Sequence, residues 1–280
     1  MKAINYDLAL IGLSDARMKP YDILFARSSS SCEKYAAYVW AQNTASLIYP
    51  LVHGLEVTLR NAIDVEARNR FGDFWWNRTG LDDSRSNAKS FDSGIRKAEK
   101  SVGKRWMAFE RQRLGLHSEA PLPASSILPE LNHDDVVAAT DFAVWRDLLS
   151  DAHCAPKGAD RELYLWPKSM GKVFKKYHMF SSKPNQARLE LLNALSNIKE
   201  YRNRLFHHDC IWVKREAKNR RGAIDSIRNK INLIEKIIQS TSPASFEAME
   251  AWGIFENARE ICTESALEET LSKCRVFDAV

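Results

Sequence analysis

The string Glu200-Tyr201-Arg202-Asn203-Arg204-Leu205-Phe206-His207-His208-Asp209 gathers the residue types that can handle a phosphodiester. An imidazole titrates near neutrality and can accept or donate a proton in a transition state. A guanidinium stays charged and presents a planar fork to phosphate oxygens. Applied to RNA, this set needs no metal and no cofactor, because the ribose 2′-hydroxyl is already the nucleophile. His207 would move a proton, Arg202 would hold the charge on phosphorus, and Asn203 would orient the phosphate or fix one His207 tautomer. Products with 2′,3′-cyclic phosphate and 5′-hydroxyl ends are expected, and DNA, lacking the 2′-hydroxyl, should be spared.

Spacing alone does not single out this string. An Arg followed after four to six residues by a His occurs four times: Arg111 to His117, Arg146 to His153, and Arg202 to both His207 and His208. Roughly two such matches are expected by chance from this composition. Context separates them. Leu191, Leu195, Ile198 and Leu205 form one helical stripe, and Arg202 falls in its middle. A guanidinium facing a core is costly unless it meets a carboxylate, a phosphate or a cleft. Lys199, Arg204, Lys214 and Arg215 add positive charge nearby. The residues alone also allow a purely structural pairing of Arg202 with an acid such as Glu56, with His207 and His208 closing a helix C-terminus. Geometry adds a condition. On an ideal helix Arg202 and His207 lie about 140° apart, and His208 lies about 240° from Arg202. Either the helix ends by Phe206, or Arg and His from two subunits meet across an interface.

The elements that must position these groups read as helices, and no stretch alternates cleanly enough to be a strand. Ser14-Asp15 opens a short helix, and Ser30 with Glu33 makes a capping-box pattern for a helix to about Ala45. Pro50 suits a first turn or kink. After it, Leu51, Leu55, Leu59 and Ile63 run down one face to about Phe71. On that helix His53, Glu56 and Arg60 form a polar stripe that could line a cleft and position Arg202, or simply contain an i,i+4 ion pair. Residues 77–91 and 115–134 read as loops around a basic helix from Ile95 to about Arg113. Further helices are expected over 135–151, 160–177, 186–207, 222–239 and 244–273. Trp75, Trp76 and Trp145 sit in apolar contexts and are expected in the core. His133, Asp134 and Asp135 could suggest a metal, but no complementary ligands are identifiable, and a helix cap explains them better.

Bulk properties set limits. The chain has 280 residues and a net charge of +5. That charge is uneven: from Lys199 to Lys236 eleven basic residues face five acidic ones, and from Gln239 onward three basic face eight acidic. This fits a phosphate-binding face followed by a solvated or docking C-terminus, or two ordinary solvated faces. The five cysteines are scattered without a CxxC pair, which points to a reducing cytosol. Apolar runs are too short to span a membrane, and the first residues lack a secretory pattern, so a cytoplasmic protein is expected.

Two blocks resemble the Abi-like abortive-infection proteins of the HEPN superfamily. One is Leu55-Glu56-Val57-Thr58-Leu59-Arg60-Asn61-Ala62-Ile63, with His53 before it and Phe74-Trp75-Trp76 after it. The other is Tyr201 to His208, which is similar to the family's Arg-Asn-Arg-x-x-His-His signature. A weaker echo runs from Phe142 to Leu149. The likeness covers roughly residues 13–212. It implies an all-α HEPN-type bundle over 1–212, with a C-terminal helical extension over 213–280 packed on the same domain. It also implies a homodimer in which two Arg-His motifs share one cleft, with Arg202, Asn203 and His207 catalytic. His208, Arg204, Glu56, Arg60 and Lys199 would bind substrate or support. The implied activity is metal-independent endoribonuclease in phage defence or as a toxin, with an antitoxin as a possible partner. A non-catalytic RNA-binding or sensor protein is the main alternative, and a protein-docking module is a third.

Overall fold

Ser30 and Glu33 make the reciprocal cap that their spacing predicts. The Glu33 N–H donates to Ser30 Oγ (3.2 Å), and the Ser30 N–H donates to Glu33 Oε2 (2.8 Å). The computed structural model describes residues 4–82, 88–127 and 129–277; the expected loops therefore lie outside the described residues at 83–87 and 128. Every regular element among the described residues is helical, so the fold is all-α, and β pairing is confined to an isolated bridge between Cys154 and Trp166. The α-helices are α1 (Tyr6–Ile11), α2 (Asp15–Met18), α3 (Ser31–Phe71), α4 (Ala88–Arg113), α5 (His133–Ala138) and α6 (Phe142–Asp147). They continue as α7 (Met170–Val173), α8 (Pro184–Phe206), α9 (Arg220–Thr241), α10 (Pro243–Ala251), α11 (Ile254–Ile261) and α12 (Glu264–Phe277).

Contacts divide the chain into two units, Met1–Thr58 with Ser196–Val280, and Leu59–Leu195. Both α3 and α8 contribute residues to each.

In the first unit, α3 passes through Pro50 without a break, where two helices were expected. A proline inside a helix forfeits one backbone bond, at about 3 kcal/mol. Here Pro50 and Ser46, whose carbonyl loses its partner, are both on the exposed side, where water can replace the bond. Ile48, Leu51, Val52 and Leu55, buried on the other side, hold the helix together. The isoleucine stripe of α9 (Ile224, Ile227, Ile231, Ile234, Ile238) is buried as expected, and α10, α11 and α12 pack against α9. The single helix expected over 244–273 is instead three. Gly253 stops α10 in a left-handed conformation (φ +66°) that a side chain would resist. Ser242 Oγ caps the start of α10, accepting from the Ser245 N–H.

In the second unit, Phe91, Ile95, Ala98 and Val102 form the buried stripe of α4, against which α5 and α6 pack. A Cβ on Gly94 would meet Val144 Cγ2 at 2.4 Å, so glycine permits the close approach of α6. Trp75, Phe91 and Trp145 form an aromatic cluster at centroid distances of 5.8 and 6.4 Å. The helix expected over 160–177 is not continuous: a 3₁₀ turn (Arg161–Leu163) and α7 flank Pro167. A proline there removes a donor and disfavours helical backbone at Trp166. The helix expected over 135–151 divides at Thr140-Asp141, where Thr140 Oγ1 donates to the Val137 carbonyl (2.6 Å) and receives Trp145 Nε1–H (2.8 Å).

Candidate functional site

Leu191, Leu195, Ile198 and Leu205 of α8 are all buried, as the stripe predicts. Arg202, in their midst, is not fully enclosed: its side chain is 30% exposed and points to the edge of the core. Its Nε lies 3.9 Å from Glu56 Oε2, beyond hydrogen-bond range, and the guanidinium carbon sits 4.3 Å above the Phe206 ring. Phe206 in turn packs against Tyr49 at 4.9 Å. Arg202 Nε is buried without a hydrogen-bond partner among the described residues. The guanidinium is thus held in place by a loose ion pair and a ring face, with hydrogen-bonding capacity unspent.

α8 ends at Phe206, and the end is closed in a defined way. The His208 N–H donates to the Leu205 carbonyl (3.2 Å) and the Asp209 N–H to the Arg204 carbonyl (3.0 Å), the two bonds of a Schellman motif. That motif requires a left-handed residue, and His208 supplies it at φ +54°, a position usually given to glycine. The break comes at His208; the His207 N–H still donates in the helical i to i−4 register, so His207 stands about 140° around the axis from Arg202. Both imidazoles are exposed, and neither makes a side-chain hydrogen bond among the described residues. Asn203, half-buried, accepts the His207 N–H on its carbonyl (2.9 Å).

The turn beyond is anchored by charge. Asp209 binds Lys214 (3.2 Å) and Arg204 (3.5 Å), and takes the Cys210 N–H (2.8 Å). Burial disfavours the Asp209 charge, but the Cys210 N–H, Lys214 and Arg204 together hold its carboxyl below the usual range. Burial, aided by Asp209, pushes the Cys210 thiol up to about 11, which removes it as a nucleophile at neutral pH. The Arg17 guanidinium donates to the His208 carbonyl. Lys199 is half-buried and forms no ion pair among the described residues. Arg60 lies in the other unit, half-buried, with its Nε lacking a hydrogen-bond partner among the described residues.

Two contributors escaped the sequence reading. Phe206 was visible in principle, four residues after Arg202 on one helical face. Arg17 was not, since nothing local connects it to His208. The basic count around 199–236 also overstates the free charge. Arg220 is spent on the Leu24 carbonyl and Glu268, and Arg228 on the Arg259 and Cys262 carbonyls. Arg221 pairs with Asp225 at 3.8 Å, and Lys230 with Asn197 at 2.8 Å. The acidic C-terminal segment thus neutralises part of the basic one through Arg220 and Glu268.

The arginines of the rival Arg–His matches are engaged elsewhere. Arg146 pairs with its neighbour Asp147, and Arg111 donates to the Ala120 carbonyl (2.7 Å). His153 is buried with Phe91 edge-on at 4.9 Å, and burial drives its pKa down to about 4.

His133 and Asp134 do acquire a third ligand-type partner, Asp64. The donor set nevertheless does not fit a metal. His133 Nδ1 accepts the Phe74 N–H (2.9 Å), so Nε2 carries the proton and donates to Asp64 Oδ1 (2.9 Å), which also takes Trp75 Nε1–H (2.8 Å). Asp134 pairs with Arg68 at 2.9 Å. Neither imidazole nitrogen retains a free lone pair, and the cluster is a structural clasp. Asn132 caps α5 by accepting the Asp134 N–H (2.8 Å).

Compared with family models, with curated proteins and with solved structures, the chain matches none.

Proposed function

We propose that the protein is a metal-independent endoribonuclease of HEPN type, acting on single-stranded RNA through its 2′-hydroxyl. The observation that carries this reading is the end of α8, where a tethered guanidinium with unspent hydrogen-bonding capacity stands one turn from two exposed, unbonded imidazoles. Buried polar groups are normally satisfied, and an open one beside two exposed imidazoles, rather than an open one by itself, supports a binding site. Arg202 would bind the scissile phosphate, with Glu56 and Phe206 positioning it. His207 would be the acid or base, with Asn203 ordering the phosphate. His208 would contribute mainly through the turn it closes, and Arg204 through Asp209; Lys199 would supply supporting charge. As the resemblance implies, two copies would complete one cleft, and the role would be phage defence or a toxin held by an antitoxin.

Labelled single-stranded RNA incubated with the protein in EDTA tests this. Cleavage leaving 2′,3′-cyclic phosphate ends, absent on DNA and lost in Arg202→Ala/His207→Ala, is the expected outcome. Cutting that requires a divalent metal, or that proceeds equally on DNA, would refute it. Binding by both proteins without cutting by either selects the RNA-binding reading, for which the Arg202–Glu56 pair would be purely structural.

A further inference from the structure

α4 carries eight basic and three acidic residues, a net charge equal to the +5 of the whole chain. The pairs made by its charges are Arg96 with Asp92, Arg113 with Glu110 and Lys97 with Asp141. Lys100, Lys104 and Arg105 are exposed and form no ion pair among the described residues. Lys100 and Lys104 stand one turn apart, and Arg105 beside them leads one turn on to Phe109.

Phe109 is 59% exposed, an unusual place for a phenyl ring. It meets Trp106 edge-on at 6.3 Å, and the two, with Val102, Arg105 and Asp135 of α5, line a cleft of about 220 Å³. That is smaller than the roughly 300–1,000 Å³ of sites that enclose a whole small molecule, and suits a single planar ring. Its chemistry is mixed: aromatic faces, a guanidinium, and a carboxylate, without an ion pair among the described residues, able to accept from an exocyclic amine. A helical row of free cations leading into an aromatic cleft is the arrangement by which proteins hold single strands, tracking phosphates while a base stacks.

We infer that α4 is a second nucleic-acid surface, binding single-stranded polynucleotide with phosphates on Lys100, Lys104 and Arg105 and one base in the Trp106–Phe109 cleft. A basic face with exposed aromatics could also meet an anionic membrane. Here the aromatics form a concave cleft that includes a carboxylate, which would repel lipid phosphates while serving a base amine. The inference stands apart from the α8 reading, since binding does not require cleavage.

Fluorescence anisotropy of labelled ten-nucleotide RNA and DNA of one sequence, with the RNA-duplex form beside them, measures it on the full chain. Arg202→Ala/His207→Ala serves as the parent for RNA, so that cleavage cannot obscure binding. Lys100→Glu/Lys104→Glu should weaken single-strand binding at least about tenfold and flatten the log affinity–log salt slope by about 1.4, at 0.7 per lost phosphate contact. Phe109→Ala should weaken it about tenfold while leaving the slope unchanged. These three residues are surface positions, and an unaltered helical circular dichroism spectrum confirms that the variants fold. Unchanged affinity in both variants overturns the inference. So does equal binding of the duplex, or binding to phosphatidylserine–phosphatidylcholine vesicles that the charge reversal abolishes while single-strand affinity stays intact. Loss of cleavage alone leaves it standing, because only binding is read.

Discussion

Two places in this protein bring a histidine together with charged partners, and they differ in whether their bonds are complete. In the Asp64–His133 clasp, both ring nitrogens, the carboxylate oxygen that Nε2 reaches and the neighbouring indole N–H are matched, and the group is buried. At the end of α8, among the described residues, Arg202 has a buried nitrogen unmatched, and His207 and His208 face solvent without side-chain bonds. A ligand-like collection whose valences are filled internally contributes to folding. One left open has capacity for a substrate. Residue type and proximity alone rank the clasp first, as the better metal-like cluster; the accounting of lone pairs and protons reverses the order.

That contrast is broken most directly by truncating one histidine from each place. His207→Ala should lower RNA cleavage by at least about 100-fold, the range of a lost proton-transfer group, while the unfolding free energy from urea titration changes by less than about 0.5 kcal/mol. His133→Ala should do the opposite: a stability loss of about 3 kcal/mol, from stranding Asp64 and the Phe74 N–H, with cleavage by the remaining folded protein unchanged. If His133→Ala lost activity without stability, the division would fail.

A buried histidine outside both places sharpens the stability side. His153 has a folded pKa of about 4 against 6.5 unfolded, so the native state takes up the proton less readily than the unfolded chain. Its contribution is intact above about pH 6.5 and drains as the pH falls toward 4, by up to about 3 kcal/mol. Urea unfolding at pH 7 and 4.5 should show His153→Leu losing less between the two than the parent does. The smallest effect concerns His208. Glycine adopts the left-handed conformation without the side-chain cost, so His208→Gly should raise stability by up to about 1 kcal/mol. If His208 acts only through its backbone, cleavage survives; a fall as large as that of His207→Ala would move the chemistry to His208.

Much of the architecture was legible because helical burial is periodic. The Leu51–Ile63 and Ile224–Ile238 stripes and the Ser30–Glu33 cap depend on neighbours within a turn or two. Helix ends were less legible. Pro50 reads as a break, but the packing of Ile48, Leu51 and Leu55 carries α3 through it, while Pro167 and Gly253 interrupt stretches whose hydrophobic pattern continues. At the candidate site, Arg202 and Glu56 were already candidates for pairing. What could not be read was which charges are consumed: Arg220 with Glu268, or Arg204 and Lys214 with Asp209, follow from packing rather than composition.

The Arg17–His208 bond spans 191 positions of sequence. At synthesis rates of about 5–20 residues per second, Arg17 is made roughly 10–40 s before its acceptor exists. The turn that presents the two imidazoles therefore cannot be anchored on a chain much shorter than two hundred residues, and the whole Leu59–Leu195 unit is translated in the interval. For a protein whose proposed substrate is RNA, this makes timing a property of topology: the α8 terminus takes its final form only after the ribosome has passed the whole intervening unit.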